Sequence, residues 1–400
     1  MTLPKIKEWW ASYTSRQRIS ITMGVGLVLF TAHNIDQPGL NLISLPAIGT
    51  LLLIFATMFA YFRGQWTLGD KRIWIPLAII SASIVVAGAL EWNYHGLGTA
   101  LMGLVLFAVY LACRWLGQDI FKVFTVAVLV ECAIITYQAI AHPGIRTGGF
   151  YGGAGGIYPG NYAMALRLLV FGFLASTHIR PGRRWLLFIP IIVALYFTGA
   201  EEALLVGIIL GVAVFVRRDI GWRILVVPVS LLLLLAITLP FSIPQDLYGK
   251  FQTRVDAIEQ SVTVEQEEVM VAGTGYTSLY DSLNFASGRR LEIYKRVIEN
   301  IEPFGYGYYV TEFGGLEKRT PHNVPLIIVD QVGPLAAVAW LWVTGFMVVK
   351  TRWKYLFIGI FAMSILDHAL WTQAAPWWWA AVGIASGVQP SGDTDRIFNV

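Results

Sequence analysis

Residues 96–140 read GLGTALMGLVLFAVYLACRWLGQDIFKVFTVAVLVECAIITYQAI. The stretch holds two apolar runs, residues 96–113 and 120–140, and the connection between them is short and basic, with Arg114 and nearby Lys122. Each run approaches the roughly 20 residues that a helix needs to cross the hydrocarbon core of a bilayer. The stretch therefore predicts two neighbouring transmembrane helices joined by a short loop.

Apolar runs of this kind recur through the chain. They lie at residues 19–33, 40–62, 73–90, 96–113, 120–140, 161–178, 185–198, 202–216, 223–241, 323–349, 355–371 and 374–388. Hydrophobic residues make up 56% of the 400 residues, charged residues 14%, and the mean hydropathy is +0.61. This composition predicts an all-α, polytopic integral membrane protein with about 12 transmembrane helices. Because the runs at 185–198 and 202–216 are short, a lower number of helices stays open.

The distribution of basic residues predicts the topology. With the N-terminus in the cytoplasm, the connections on that side carry nineteen Lys and Arg residues, whereas the short connections on the opposite side carry only Arg146. Such an imbalance is typical of the positive-inside rule. We therefore expect a multi-pass inner-membrane protein with an uncleaved first span, both termini in the cytoplasm, and the long polar segment 242–321 on the outer side.

Charge and cysteine content exclude other classes. The net charge is +4, and the basic residues lie in short clusters between apolar runs, which favours membrane lipids as surroundings and argues against a nucleic-acid partner. Cys113 and Cys132 both lie inside apolar runs, without metal-ligand or disulfide spacing. The chain is expected to form one membrane domain, with transmembrane helices 1–9 in residues 1–241, the loop in residues 242–321, and helices 10–12 with a cytoplasmic tail in residues 322–400.

The long loop is predicted to be partly helical. Residues 251–269 have the apolar spacing of an amphipathic helix, and a second amphipathic helix is predicted over residues 288–302. Ser287 can cap the second helix, and its expected apolar face consists of Leu291, Tyr294, Ile298 and Ile301. Arg289 and Arg290 then lie in its first turn, where arginines and free backbone N–H groups together favour a bound phosphate. The alternative is that these arginines are solvated or contact lipid headgroups.

The segment that follows ends in Thr320-Pro321-His322-Asn323, at the expected entrance of the tenth span. With an ordinary pKa of about 6.5, His322 can accept a proton from a sugar hydroxyl. The alternative is a structural imidazole at a helix entrance, with Asn323 as the helix cap. The tryptophans Trp371 and Trp377 to Trp379 are expected near the outer face, where sugar stacking competes with the ordinary interfacial role of tryptophan.

These motifs resemble those of the bacterial O-antigen ligase and polymerase superfamily. The similarity consists of Ser287-Gly288-Arg289, Pro303-Phe304-Gly305-Tyr306-Gly307, His322-Asn323 and Asp330-Gln331-Val332-Gly333. Arg146-Thr147-Gly148-Gly149-Phe150 and Asn161-Tyr162-Ala163 are similar to the family's Gly-Phe and Asn-x-x-Ala pattern. About twelve spans with a large outward loop between the ninth and tenth also fit the family, whose architecture is GT-C-like.

The resemblance implies an inverting glycosyltransferase that needs neither metal nor cofactor. It implies a glycan donor linked to undecaprenyl diphosphate, a lipid A-core or other glycan acceptor, and chemistry on the periplasmic side of the bacterial inner membrane. In this chain it assigns catalysis to His322 and Arg289. Donor or glycan binding is expected of Arg290, Arg167, Arg146, Asn161, Asn323, Glu201 and Glu202.

One departure from the family pattern concerns the start of the eighth span. The family commonly has a Ser-Arg pair where this chain has Glu201 and Glu202. Arg167, within the sixth span, is a candidate for the missing cation, because an ion there needs a partner or a ligand. The alternative is that Arg167 forms an ion pair with Glu201 or Glu202.

Three other functions stay open. A repeat-unit polymerase has the same site, and the spacing of Arg296 and Gly307 is polymerase-like. A lipid or glycan transporter also carries charges within its spans, but it is typically built from paired repeats, which this sequence lacks. A transferase that uses a monosaccharide phosphate lipid needs an acid in the first outward loop, where Asp36 lies.

Overall fold

The computed structural model describes residues 13–30, 45–64, 66–91, 94–141, 147, 160–179, 183–216, 290–307, 321, 323–351, 353–366, 371 and 375–387. The regular elements in these ranges are helical, which confirms the predicted all-α class. They are α1 Ser15–Phe30, α2 Leu45–Arg63, α3 Lys71–Glu91, α4 Tyr94–Leu116, α5 Phe121–Ala141, α6 Gly160–His178, α7 Trp185–Thr198, α8 Glu201–Val216, α9 Arg290–Glu299, α10 Val324–Val332, α11 Pro334–Lys350, α12 Lys354–Leu366 and α13 Ala375–Gly387. A 3-10 turn, Gly117–Ile120, joins α4 to α5.

The helices follow the apolar runs of the sequence. Eleven of the twelve predicted runs contain described helices, and the ninth, at 223–241, lies outside the described residues. Two helical stretches in the described part, Lys71–Leu90 and Gly96–Ala141, are long and apolar enough to cross a membrane by length and composition alone. Other apolar helices there, such as Ala47–Arg63, are shorter. The number of membrane crossings therefore stays a prediction.

The last helix, α13, lies at the centre of the bundle. Its residues from Ala375 to Ile384 are all buried. Trp378 stacks on Trp340 of α11 with ring centroids 5.7 Å apart, while Trp377 and Trp379 are also fully enclosed. The three tryptophans thus fill the core, so their rings are enclosed by protein and not free to stack on a sugar or contact lipid headgroups. Their depth in the membrane stays a prediction. The sequence pattern shows only that aromatic rings are present, and the packing of α13 decides where they lie.

One end of the bundle collects basic residues. The Arg16 Nε atom of α1 lies 2.5 Å from the Asp119 Oδ2 atom after α4. Arg114 at the end of α4 donates from Nε to the Thr67 carbonyl, 3.1 Å away, and from Nη1 to the Ser386 carbonyl of α13. The start of α1, the connections after α2 and α4, and the end of α13 therefore meet at this end, hereafter the basic end. α1 therefore begins at the basic end, whereas α2, α4 and α13 end there. This is the arrangement that the alternation of basic and non-basic connections in the sequence predicts.

The tenth predicted run is two helices instead of one. α10 ends at Val332 and α11 begins at Pro334, while Gly333 between them has a φ of 96°. Proline lacks the N–H group that would continue the first helix, and a positive φ suits glycine. The predicted single helix over 323–349 is corrected to a helix broken at Gly333.

The predicted loop helix is present but shorter, and its buried face differs. The sequence predicted residues 288–302, and the structure gives α9 as Arg290–Glu299. Val297 is the buried residue of α9, whereas Ile298 and Ile301 are 59% and 48% exposed. The predicted apolar face is therefore wrong for these two isoleucines, since the buried side chain is that of Val297, beside Ile298 in the sequence. The first predicted loop helix, 251–269, lies outside the described residues.

Candidate functional site

A buried ion pair lies inside the helix bundle. The Arg167 guanidinium of α6 is paired through Nη2 with the Glu131 Oε1 atom of α5, and the two side chains are 1% and 2% exposed. Nη1 of Arg167 also donates a hydrogen bond to the Val28 carbonyl of α1, 3.0 Å away. Removal of two charges from water is costly unless they are paired. Glu131 supplies this compensation for Arg167.

The same arginine closes the end of α1. The last carbonyl groups of a helix have no partner within the helix, and a cation there complements the helix dipole. Arg167 binds the Val28 carbonyl, and Nε1 of Trp377 donates to the Leu27 carbonyl at 2.9 Å. The guanidinium carbon of Arg167 lies 5.7 Å from the centre of the Trp377 ring. Arg167 thus connects α1, α5, α6 and α13.

The structure identifies the ion partner that sequence reasoning missed. The sequence suggested Glu201 or Glu202, whose backbone begins α8 and whose side chains lie outside the described residues. The observed partner is Glu131, the one acidic residue of the run 120–140. The sequence did contain a signal for this pair: Glu131 is the lone acid of one apolar run and Arg167 the lone arginine of another. Charged residues inside a membrane usually pair with each other.

A second polar feature lies at the break between α10 and α11. The turn at residues 303–307, hereafter the glycine turn, contacts this break through its backbone. The Tyr306 N–H donates to the Asp330 carbonyl at 2.7 Å, and the Gly307 N–H donates to the Gln331 carbonyl at 3.0 Å. These two carbonyls belong to the last turn of α10, where the helix offers no partner of its own. The loop therefore caps the broken helix.

Two glycines permit this close approach. A Cβ atom on Gly305, whose φ is 69°, would lie 2.3 Å from the Gln331 carbonyl carbon. A Cβ atom on Gly333 would lie 2.2 Å from the Pro303 carbonyl oxygen. Both distances are shorter than any ordinary van der Waals contact. The backbones of the two segments can approach this closely because Gly305 and Gly333, one on each segment, carry no side chain.

Tyr306 also binds α9. Its hydroxyl donates to the Asn300 carbonyl at 3.0 Å, and the Asn300 side-chain Nδ2 atom donates to the Arg296 carbonyl at 2.8 Å. Burial, followed by the charges of Glu302 and Asp330, raises the pKa of the Tyr306 hydroxyl above its usual value of 10.0. The hydroxyl therefore stays protonated at neutral pH and acts as the donor in this bond.

The entrance of α10 is fixed by Asn323. Its Oδ1 atom accepts a hydrogen bond from the Leu326 N–H at 3.1 Å and caps the helix, as the sequence suggested. Its Nδ2 atom donates to the Ile365 carbonyl near the end of α12, 3.2 Å away. At the other end of α10, two residues before Gly333, Trp371 Nε1 donates a buried hydrogen bond to Gln331 Oε1 at 2.9 Å. Asn323 thus uses both polar atoms of its side-chain amide: the oxygen caps α10, and the nitrogen binds α12.

Thr147 connects two of the predicted motifs. Its N–H and its hydroxyl both donate to the Phe197 carbonyl near the end of α7, at 3.2 and 3.0 Å. α7 ends at Gly199, which has a φ of 65°, and α8 begins at Glu201. The residue next to Arg146 in the sequence is therefore anchored close to the connection that precedes the two acids.

The remaining predicted site residues are described only in part. Arg290 and Asn161 lie in the first turns of α9 and α6, and their side chains are outside the described residues. Arg289, His322 and Arg146 lie wholly outside them. The structure brings the end of α10, α9 and the glycine turn together, whereas Arg167 contacts α1, α5 and α13. In the described ranges, no group of three or more His, Cys, Asp or Glu residues is placed to hold a metal ion.

The fold and the site define a helical bundle with a buried ion pair and a loop segment bonded to a broken helix. No protein-family model matches the chain, and no curated protein matches it.

Proposed function

We propose that this chain is a polytopic protein of the bacterial inner membrane, with both termini in the cytoplasm and residues 242–321 in the periplasm. Support comes from the charge imbalance between the two sets of connections and from the contacts of Arg16 and Arg114 at the basic end. The helix break and the glycine turn belong to the other side of the molecule in this topology. The arrangement is GT-C-like, with about twelve spans.

In that membrane, the proposed activity is transfer of a glycan from undecaprenyl diphosphate to an acceptor sugar, most simply the O-antigen ligase reaction on lipid A-core. The observation that carries the proposal is the bonding of two motifs that are separate in sequence. Residues 303–307 and 330–333, both parts of the resemblance, are joined by two backbone hydrogen bonds. α9, which begins at Arg290, is bonded to this unit through Tyr306, and α10 connects the unit to the cap at Asn323, directly after His322, at the opposite end of that helix.

In the proposed mechanism, Arg289 and Arg290 bind the donor diphosphate, and His322 takes the proton of the acceptor hydroxyl. The acceptor oxygen attacks the anomeric carbon while the bond from that carbon to the diphosphate oxygen breaks, and undecaprenyl diphosphate leaves with the bond electrons. The arginines stabilise the charge that develops on the leaving group. A single displacement inverts the anomeric configuration, and no metal is needed in this scheme.

In this proposal Arg167 has a structural role, whereas the sequence suggested that it binds the donor. Its guanidinium is bonded to Glu131 and to the Val28 carbonyl, so it supports the bundle beneath the reaction site. Arg146, Asn161, Glu201 and Glu202 are kept as candidates for binding the glycan. The contacts of Thr147 with α7 support an association of Arg146 with the start of α8.

The test is glycan transfer by the purified protein in proteoliposomes. Undecaprenyl-diphosphate-linked glycan and lipid A-core are supplied to the wild type, to His322→Ala, to Arg289→Ala and to the control Lys295→Ala. Lys295 also belongs to α9, but its side chain is 64% exposed, and its Nζ atom lies 3.8 Å from the Glu299 Oε1 atom on the same helix. We expect transfer to fall sharply in the first two variants and to stay normal in the control. Normal transfer in both His322→Ala and Arg289→Ala would overturn the assignment.

A repeat-unit polymerase is the second candidate. Arg296 and Gly307, which carry the polymerase-like spacing, both belong to the unit around the glycine turn. The product decides between the two reactions. Loss of the gene leaves long unattached chains if the protein is a ligase, and single repeat units on lipid A-core if it is a polymerase.

A transporter is less well supported. The break at Gly333 resembles the broken helices of carriers, in which free carbonyls at the break bind a coupling ion. Here the Asp330 and Gln331 carbonyls accept hydrogen bonds from the glycine turn. These carbonyls are therefore occupied by the protein itself. Asp36, on which the monosaccharide phosphate alternative depends, lies outside the described residues.

A further inference from the structure

Among the described residues, Tyr306 links the loop helix to the bundle by two hydrogen bonds. Its N–H binds the Asp330 carbonyl of α10, and its hydroxyl binds the Asn300 carbonyl at the end of α9. The distances are 2.7 and 3.0 Å, within the normal range of hydrogen bonds. A single side chain therefore links the end of one helix to the end of another.

The hydroxyl bond can be separated from the rest of the contact. The glycine turn is held against α10 by the hydrogen bonds of the Tyr306 and Gly307 N–H groups. The close backbone packing at Gly305 and Gly333 also holds it. Loss of the hydroxyl leaves all of these intact. It weakens the hold on the end of α9, whose Val297 side chain stays buried.

The position of the arginines at the other end of α9 depends on this bond. α9 has 10 residues, so it is about 15 Å long. A tilt of about 10° at its fixed end moves its first residue, Arg290, by roughly 2.6 Å. A misplacement of about 1 Å at a reaction site is enough to slow a reaction strongly.

We propose that Tyr306 is a positioning residue that sets the orientation of α9 and, through it, the location of the arginine-bearing helix start. The ligand at that start is the diphosphate of the lipid-linked donor. This second part rests on the proposed function, whereas the link between α9 and α10 does not. Tyr306 acts through the helix and does not touch the reacting atoms.

The link is tested by a distance measurement that needs no substrate. Nitroxide labels are attached to Ile298→Cys on α9 and Val338→Cys on α11, at side chains that are 59% and 62% exposed. The two native cysteines are buried and do not react in the folded protein. The distance distribution is then compared in the labelled parent, in Tyr306→Phe and in the control Tyr61→Phe, which removes a hydroxyl from a side chain that is 61% exposed on α2.

We expect a narrow distribution in the parent and in Tyr61→Phe, and a broader or displaced one in Tyr306→Phe. The net contribution of one hydrogen bond corresponds to about a fivefold preference for the bonded position. A distribution in Tyr306→Phe that is identical to that of the parent would overturn the proposal. Gly305→Ala should broaden it further, but that variant can also fail to fold, so Tyr306→Phe decides.

Glycan transfer tests the second part. Tyr306→Phe should lower kcat by about two- to fivefold, while the KM for the lipid A-core acceptor and the yield of folded protein stay as in Tyr61→Phe. A broadened distribution with an unchanged kcat contradicts the positioning role and leaves only a structural link. If the wild type transfers no lipid-linked glycan, the proposed function fails, and the distance measurement still decides the link.

Discussion

The ion pair of Arg167 and Glu131 leads to a quantitative prediction on stability. Glu131→Gln removes one charge and leaves the guanidinium buried, with 1% of its side chain exposed. Breaking a buried pair in this way typically costs about 3–5 kcal/mol. In a large domain, each kcal/mol lowers Tm by about 2 °C, so the expected loss is roughly 6–10 °C.

Removal of both charges should cost less than removal of either one. In Glu131→Gln/Arg167→Met no ion is left in the core, and replacement of a whole buried pair by well-packed groups is often close to neutral. Arg167→Met also removes the hydrogen bond from Arg167 to the Val28 carbonyl, which costs about 1 kcal/mol in the single and the double variant alike. The double variant should therefore have a higher Tm than either single variant.

Thermal unfolding in detergent with a thiol-reactive fluorescent dye measures these differences. Cys113 and Cys132 are the two cysteines of the chain and both are buried, so the dye reacts as the bundle opens. Arg72→Gln is the matched control, because it breaks a surface pair with Asp70 whose two side chains are 58% and 33% exposed. Exposed pairs contribute at most about 1 kcal/mol. If Glu131→Gln loses no more than this control, or if the two single losses simply add in the double variant, the argument is refuted.

Three further predictions concern the glycine turn, the helix break and the connection before α3. Gly305→Ala should lower the yield of folded protein on size-exclusion chromatography, because the new methyl group collides with the Gln331 backbone, whereas Gly345→Ala, which has open space around it, should not. Gln331→Leu removes the hydrogen bond that the buried Trp371 N–H donates to Gln331 and should cost about 1–3 kcal/mol in thermal unfolding, and an unchanged Tm would contradict this. The pKa of Asp70 is lowered from 3.8 by hydrogen bonds from an arginine two residues later, so the stabilisation by its carboxylate is complete above about pH 4 and is lost as the pH falls below the lowered pKa. The difference in Tm between the wild type and Asp70→Asn should therefore become smaller below about pH 4. A difference that does not change with pH would contradict this prediction.

The sequence predicts the helices well because each is a long apolar run with polar connections. The runs 73–90 and 120–140 correspond closely to α3 and α5. The break at Gly333 was missed because the run 323–349 is apolar throughout, although Gly333 and Pro334 occur together within it. The break is stabilised by bonds from residues 303–307, and a partner so distant in sequence has no periodic signal.

The sequence motifs pointed to segments that the structure shows in contact, but they did not give the partners of the individual side chains. The resemblance directed attention to residues 303–307 and 330–333, and the structure shows that these segments are bonded to each other. The partner of Arg167 was not predicted, because pairing depends on which helices are neighbours. The order of the helices in the sequence does not favour Glu131 over Glu201 or Glu202. The burial of the tryptophans of α13 was not predicted for the same reason, since burial on all sides is a property of the packed bundle.

The most direct test of the proposed function is mass analysis of lipid-linked and transferred glycans in cells with and without the gene. The account predicts that loss of the protein leaves glycan on undecaprenyl diphosphate and lipid A-core without it, and that wild-type protein restores the transfer while His322→Ala does not. Identical glycan profiles in the two strains, with donor and acceptor both present, would contradict it.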